Sequence, residues 1–187
     1  MIAALYIDPR GPYPRMPDVD CWDERRDARK YEGPYPVVAH PPCGPWGKLR
    51  HLCTKQDSSC GPVAVDQVRE FGGVLEHPAH SRLFVECGMP RPGELPDPWG
   101  GVTIEVEQVR WGHVARKRSW IYLVGVRDVG ADPPPREPTH WIGGGRHHTG
   151  ARTPVPIGIR CASSEQSRRT PQAFAEWLAS LARSARV

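Results

Sequence analysis

A short apolar run that two prolines end at once constrains this chain more than any other feature. Residues 36–39 read Pro-Val-Val-Ala, and His40-Pro41-Pro42-Cys43 follows directly. The run predicts a buried strand, and the prolines predict its end, because proline cannot donate a hydrogen bond within a sheet. Open α/β sheets bind ligands in loops just beyond the carboxyl ends of their strands. The sequence therefore predicts that Cys43 is a partly exposed thiol at such a site. The alternative is a proline-rich turn in which the cysteine has no role.

Further apolar runs predict an α/β fold. Residues 2–7 and 74–78 predict strands, and residues 62–71 predict a helix, because a proline opens the segment and two glycines close it. The order strand, helix, strand implies a parallel, doubly wound sheet. Residues 102–109 and 119–126 predict an antiparallel pair at the sheet edge, since a short basic loop joins them. We expect a Rossmann-like, methyltransferase-type sheet that is mostly parallel, with an antiparallel edge hairpin and helices on both faces.

Three more segments complete the predicted architecture. Residues 18–31 predict a helix, because acidic residues precede basic ones as the helix dipole favours. Residues 127–160 are rich in proline and glycine and predict little regular structure. A last helix is expected from Pro171 to Ser184, with Thr170 as its N-cap. At 187 residues, the chain has the usual size of one domain, and we expect a single minimal domain over residues 1–187.

Composition and charge narrow the functional classes. The formal net charge of +4 and the isoelectric point near 8.8 are compatible with a nucleic-acid partner without requiring one. No apolar run approaches the length of a membrane span, so no membrane association is expected. The first residues lack a basic leader, and six cysteines without a secretion signal favour reduced thiols. We expect a cytoplasmic protein.

Three motifs at the predicted strand ends resemble motifs of the DNA (cytosine-5) methyltransferase family, in particular small divergent members of phage and prophage type. The stretch from His40 to Gly47 resembles the family's Pro-Cys-Gln-Pro-Phe-Ser nucleophile loop. Leu75-Glu76-His77-Pro78 resembles its Glu-Asn-Val turn, and the stretch from Arg118 to Gly125 resembles its Arg-x-Arg strand.

The resemblance implies covalent chemistry on a cytosine or a related pyrimidine in DNA. The thiolate of Cys43 would add to carbon-6 of the ring, which makes carbon-5 nucleophilic, and Glu76 would assist at ring nitrogen N3. Arg118 would orient the base or a phosphate. A nearby arginine or a helix terminus should lower the pKa of Cys43, because only the thiolate is nucleophilic. Catalytic roles thus fall to Cys43, Glu76 and Arg118, and substrate contacts to Pro42, Trp46, His77 and Arg116.

The resemblance also implies a methyl donor, S-adenosylmethionine, and DNA or a nucleotide as substrate. The family's Phe-x-Gly-x-Gly cofactor loop is replaced here by Asp8-Pro9-Arg10-Gly11. Asp8, Asp20 and Asp23 are therefore the candidate cofactor contacts. No segment is large enough for a target-recognition domain, so a protein partner is a candidate source of target recognition.

Two alternatives remain open at this point. Zinc favours four cysteine or histidine ligands, and five such residues cluster between positions 40 and 60. The candidate zinc ligands are His40, Cys43, His51, Cys53 and Cys60. A metal-bound Cys43 would not be a free nucleophile, so the zinc and catalytic hypotheses exclude each other at that sulfur. The other alternative is a catalytically inactive relic of the fold that binds nucleic acid or a protein partner.

Overall fold

The computed structural model describes residues 1–47, 50–53, 58–142 and 158–186. Strands β1 to β8 span, in chain order, Ile2–Leu5, Val19–Trp22, Val37–Ala39, Gly73–Pro78, Val102–Glu107, Arg118–Val124, His140–Trp141 and Arg160–Cys161. Helices α1 to α4 span Cys60–Phe71, Arg82–Glu86, Ser164–Arg168 and Gln172–Ser184. Short 3-10 helices lie at Tyr13–Arg15, Ala28–Lys30, Arg50–Leu52 and Gln108–Trp111. Residues 143–157 of the predicted loop-rich segment lie outside the described residues.

Six strands form one sheet in the order β2-β1-β3-β4-β6-β5. Strands β2, β1, β3 and β4 pair in parallel, whereas β6 runs antiparallel to both β4 and β5. The prediction of an α/β protein with a mostly parallel sheet and an antiparallel edge pair is confirmed. Strands β7 and β8 form a separate parallel pair.

Helices cover both faces of the sheet, as predicted. Alternate residues of a strand point to opposite faces, so each strand contributes to two cores. One core lies under α4 and includes Ile2, Val38, Val74, Ile121, Phe174 and Leu178. The other lies under α1 and α2 and includes Leu5, Val37, Leu75, Val65, Leu83 and Trp120. We refer to these as the α4 face and the α1/α2 face.

The prediction of a helix over residues 18–31 is wrong. Val19–Trp22 is an edge strand that pairs in parallel with β1, and only Ala28–Lys30 winds, as a 3-10 helix. The side chain of Asp23 accepts hydrogen bonds from backbone N–H groups two and three residues ahead. Such bonds favour a turn over a helix, and strand pairing outweighs the charge pattern on which the helix prediction rested.

The C-terminal helix begins one residue later than predicted. Pro171 is its N-cap, with extended ψ of 146°, so the helix starts at Gln172 and Thr170 lies outside it. The proline ring fixes φ at a value that suits a helix and extended chain equally, which is why sequence alone misplaces this boundary.

The topology assembles a site at one edge of the sheet. Strand β1 lies between β2 and β3 in the sheet. The chain therefore continues from β1 to β2 on one side and from β3 to β4 on the other. Such a reversal opens a crevice at the carboxyl ends of the strands, where open α/β sheets bind their ligands. The loops after β1, β3 and β4 all start at this edge.

In the described part of the chain, no helix combines the length and the apolar character needed to cross a membrane.

The contact between β3 and β4, which aligns the two candidate loops, should depend on Gly73. Its φ is +118°, and a Cβ at this position would collide with the backbone carbonyl of Val37. Gly88 also has a positive φ, of +61°, but a Cβ there would meet nothing within 4 Å. We expect Gly88→Ala to lower the free energy of unfolding by about 1–2 kcal/mol and Gly73→Ala by about 3 kcal/mol or more. Urea denaturation of both variants tests this, and equal losses would contradict it.

Candidate functional site

Glu76 lies at the centre of the site, in β4, on the α4 face. Only 8% of the residue is exposed. Its Oε1 accepts hydrogen bonds from Ser119 Oγ at 2.5 Å and from Gln108 Nε2 at 3.0 Å. Its Oε2 lies 3.1 Å from His40 Nδ1. Both oxygens of this buried carboxyl group thus have polar partners from other segments of the chain.

His40 connects Glu76 to Tyr13. The Tyr13 hydroxyl lies 2.7 Å from His40 Nε2 and is buried. Since a carboxylate can only accept, His40 Nδ1 must carry the hydrogen that it donates to Glu76. In the neutral ring Nε2 then accepts from the Tyr13 hydroxyl. The backbone N–H of His40 donates to Leu5 at 3.1 Å, which extends the pairing of β1 and β3 by one residue.

Electrostatics keep Glu76 ionised. Burial alone would raise the pKa of this carboxyl group, but Lys117, His40 and Ser119 together hold the pKa well below its usual range. Lys117 thus favours the ionised form of Glu76. The sequence indicated a basic turn before β6 but not which of its three basic residues serves Glu76.

Cys43 is exposed, in the loop after β3. Partial burial of its sulfur and the charge of Glu76 raise the pKa of the thiol, and Lys117 and Arg168 offset this only in part. The expected lowering of the Cys43 pKa is therefore not found. At neutral pH the residue is a thiol, and a bound substrate would have to shift it towards the thiolate.

Arg118 lies on the opposite face of the sheet from Glu76. It is the first residue of β6, and residues two apart in a strand share a face, so Arg118 points with Trp120 towards the α1/α2 face. Its guanidinium binds Glu105 Oε1 at 2.6 and 2.8 Å, and Trp120 Nε1 donates to Glu105 Oε2 at 2.8 Å. The structure brings Ser119 to Glu76, and it does not bring Arg118 there.

His77 is fully buried, on the face opposite to Glu76. Burial lowers the pKa of His77 to about 4, although Glu76 and the backbone of Pro42 favour its protonated form. His77 is thus a neutral core residue.

The other predicted substrate contacts differ in accessibility. Trp46 packs against Gly61 and Leu83, and its carbonyl accepts from the backbone N–H of Arg82 at 3.1 Å, so this residue anchors the loop. Pro42 is exposed beside Cys43. Arg116 is exposed, with its guanidinium 3.9 Å from the carboxylate of Glu137.

Two of the three predicted cofactor contacts line one cavity. The cavity has a volume of about 290 Å³ and lies where β1 and β2 end, and it is lined by Ile7, Asp8, Pro9, Asp23, Glu24 and Arg25. The side chain of Arg10 binds the carboxylate of Asp8 and holds its pKa below the usual range. Asp20 does not line this cavity. Its carboxylate accepts from Trp22 Nε1 at 2.8 Å and from Arg26 at 2.6 Å.

The zinc hypothesis has no assembled site in the described ranges. Among these residues, no three histidine, cysteine, aspartate or glutamate side chains are grouped to hold a metal ion. Neither ring nitrogen of His40 is available to a metal, because Nε2 contacts Tyr13 and Nδ1 contacts Glu76. The sulfur of Cys53 packs over Gly44, and His51 is exposed. Cys60 is the first residue of α1.

Comparison with known proteins gave no match: no family model fits this chain, and no curated protein or solved structure is significantly similar to it.

Three residues of the site were not found from the sequence, namely Tyr13, Gln108 and Ser119. Gln108 and Ser119 are fully buried in the structure, and their position beside apolar runs is the one sequence signal that could have marked them. Tyr13 gave no signal, because its contact with His40 spans 27 positions.

The reactivity of Cys43 should follow the charges around it. Because Glu76 raises and Lys117 lowers the pKa of the thiol, Glu76→Gln should speed alkylation of Cys43 by iodoacetamide at pH 7.5, and Lys117→Gln should slow it. Mass spectrometry of the Cys43 peptide over time gives the rates, with the Cys161 peptide as internal control. Slower alkylation in Glu76→Gln would contradict the conclusion that Glu76 raises the pKa of Cys43.

Stability should fall in mild acid because of His77. Its pKa is lowered from 6.5 to about 4 in the folded chain, so between these values only the unfolded chain binds the proton and stability falls with pH. The expected loss between pH 7.5 and pH 5 is roughly 2 kcal/mol. Glu76, with its lowered pKa, adds a loss only at more acidic pH. His77→Phe should remove most of this slope in urea denaturation, and an unchanged slope would contradict it.

Proposed function

We propose that this chain is a methyltransferase-like protein that modifies cytosine, or a related pyrimidine, at carbon-5 in DNA through a covalent adduct with Cys43. The observation that carries the proposal is the juxtaposition of an exposed cysteine with a buried, ionised glutamate at the carboxyl edge of the sheet. These are the positions to which the family resemblance assigns the nucleophile and the carboxyl group that binds the ring.

The chain's own residues can perform the addition. The thiol of Cys43 first loses its proton to water. Its sulfur then bonds to carbon-6 as the double bond between carbon-5 and carbon-6 opens, and a proton taken up at N3 neutralises the charge that this places on the ring. An ionised carboxylate can only accept, so Oε2 of Glu76, the oxygen that has one hydrogen-bond partner rather than two, accepts from the N–H at N3. Lys117 stabilises the thiolate. Release reverses the addition: the proton on carbon-5 passes to water, the double bond between carbon-5 and carbon-6 re-forms, and the sulfur leaves as the thiolate.

The cavity after β1 and β2 suits S-adenosylmethionine in its chemistry. Carboxylates bind ammonium groups and ribose hydroxyls, and Asp8 and Asp23 supply such groups from two strand ends. These two residues would hold the cofactor, which supplies an electrophilic methyl group when bound. The sheet, mostly parallel with an antiparallel edge pair, is of the kind that the resemblance implies.

A second candidate is a non-catalytic protein of this fold that binds nucleic acid or a protein partner. Two observations favour it. The pKa of Cys43 is raised rather than lowered, and the guanidinium of Arg118 is paired with Glu105 on the far face of the sheet.

Trapping of Cys43 tests the proposed function. The probe is a pool of random-sequence oligonucleotides, single- and double-stranded, with 5-fluorocytosine in place of cytosine, incubated with S-adenosylmethionine. Fluorine at carbon-5 blocks release of the enzyme, so the wild-type protein should accumulate a covalent adduct detectable by intact mass.

Cys43→Ala should form no adduct, whereas Cys161→Ala, which changes another exposed cysteine, should behave like the wild type. An adduct in Cys43→Ala would refute the mechanism. DNA binding of equal strength in the wild type and Cys43→Ala, with no adduct in either, would favour the non-catalytic candidate.

A further inference from the structure

We propose that His40 is the positioning residue of this site: it holds Oε2 of Glu76 in place for the substrate, and Tyr13 in turn contacts His40. This inference rests on the proposed function, because it assigns a role within the same site. The resemblance that suggested Cys43 and Glu76 gives no such role to His40.

The two oxygens of Glu76 are held in different ways. Oε1 is fixed from inside the protein by Ser119 and Gln108, which are both fully buried. Ser119 also accepts from Gln108 Nε2 at 2.9 Å, so the three side chains form a closed ring of hydrogen bonds. Among the described residues, Oε2 contacts one polar side chain, that of His40, which is 13% exposed. The orientation of Oε2 therefore depends on His40.

Tyr13 is the second partner of His40, and it supports the hydrogen on Nδ1 that Glu76 requires. Tyr13 is 2% exposed, and its ring packs 5.4 Å from the imidazole, centroid to centroid. Burial raises the pKa of Tyr13 well above its usual value, so the hydroxyl keeps its proton. The Tyr13 hydroxyl donates to Nε2 of the neutral ring, and Nδ1–H donates to Glu76.

The relay also joins the two halves of the crevice. Tyr13 lies in the connection between β1 and β2, on the side of the acid-lined cavity. His40 follows β3 and Glu76 lies in β4, on the side of Cys43. A change in Tyr13 should therefore reach Glu76 without touching the substrate.

The test compares variants that keep or remove single hydrogen bonds, measured as the rate of adduct formation with the 5-fluorocytosine oligonucleotides. His40→Ala removes the hydrogen-bond donor to the charged Glu76. Because of this loss, the maximal rate should fall about 10- to 100-fold. The half-saturating DNA concentration should change little. His40→Asn restores an N–H near the Nδ1 position and should recover most of the rate. Tyr13→Phe keeps the ring packing and should lower the rate only a few-fold. A wild-type rate in His40→Ala overturns the inference.

Nuclear magnetic resonance of 15N-labelled protein provides a readout that does not depend on activity. Nδ1 of His40 should show the chemical shift of a protonated nitrogen and Nε2 that of an unprotonated one, and Tyr13→Phe should weaken this difference. An unprotonated Nδ1 in the wild type overturns the inference, and this result can be obtained even where His40→Ala fails to fold. A wild-type protein that forms no adduct would refute the proposed function, whereas normal trapping in His40→Ala would refute only the role of His40.

Discussion

The burial of one carboxylate charge is the constraint on which the candidate site depends. A charge withdrawn from water is tolerated only where partners replace its hydration, and Glu76 has four partners from three other segments. His40 follows β3, Gln108 follows β5, Ser119 lies in β6, and Lys117 precedes it. Each strand order or register that failed to bring these groups together would leave the charge uncompensated. The sheet topology and the polar network are therefore a single solution to one electrostatic problem.

The sequence predicted the frame of the fold from apolar runs and their proline and glycine boundaries. It failed where a non-local contact decided the outcome, as in residues 18–31, where pairing with β1 converts a helix-like charge pattern into an edge strand. It also placed Cys43 in the loop after β3, where the structure has it, but it placed Glu76 after the next strand, whereas Glu76 lies inside β4, which continues to Pro78. The partners Tyr13 and Gln108 were out of reach, because hydrogen bonds across 27 and 32 positions leave no local pattern.

Arg118 shows a further limit of motif comparison. A motif places a residue in a strand, but the alternation of side chains determines which core it faces. Ser119 and Arg118 are neighbours in the chain and lie on opposite sides of a sheet, so a shift of one position exchanges a partner of Glu76 for a partner of Glu105. The neighbouring Lys117 provides the positive charge instead.

The hydrogen bonds of Glu76 also bear on how the chain folds. Strands β3 and β4 are joined through α1 and can pair early, but Ser119 arrives only when β6 docks, 43 positions along the chain from Glu76. Closing such a loop costs entropy before the contacts it allows are gained. Until β6 docks, water must hydrate the Glu76 carboxylate. Docking of β6 is thus the event that expels solvent from this edge of the sheet, and the site and the native state should appear in the same step.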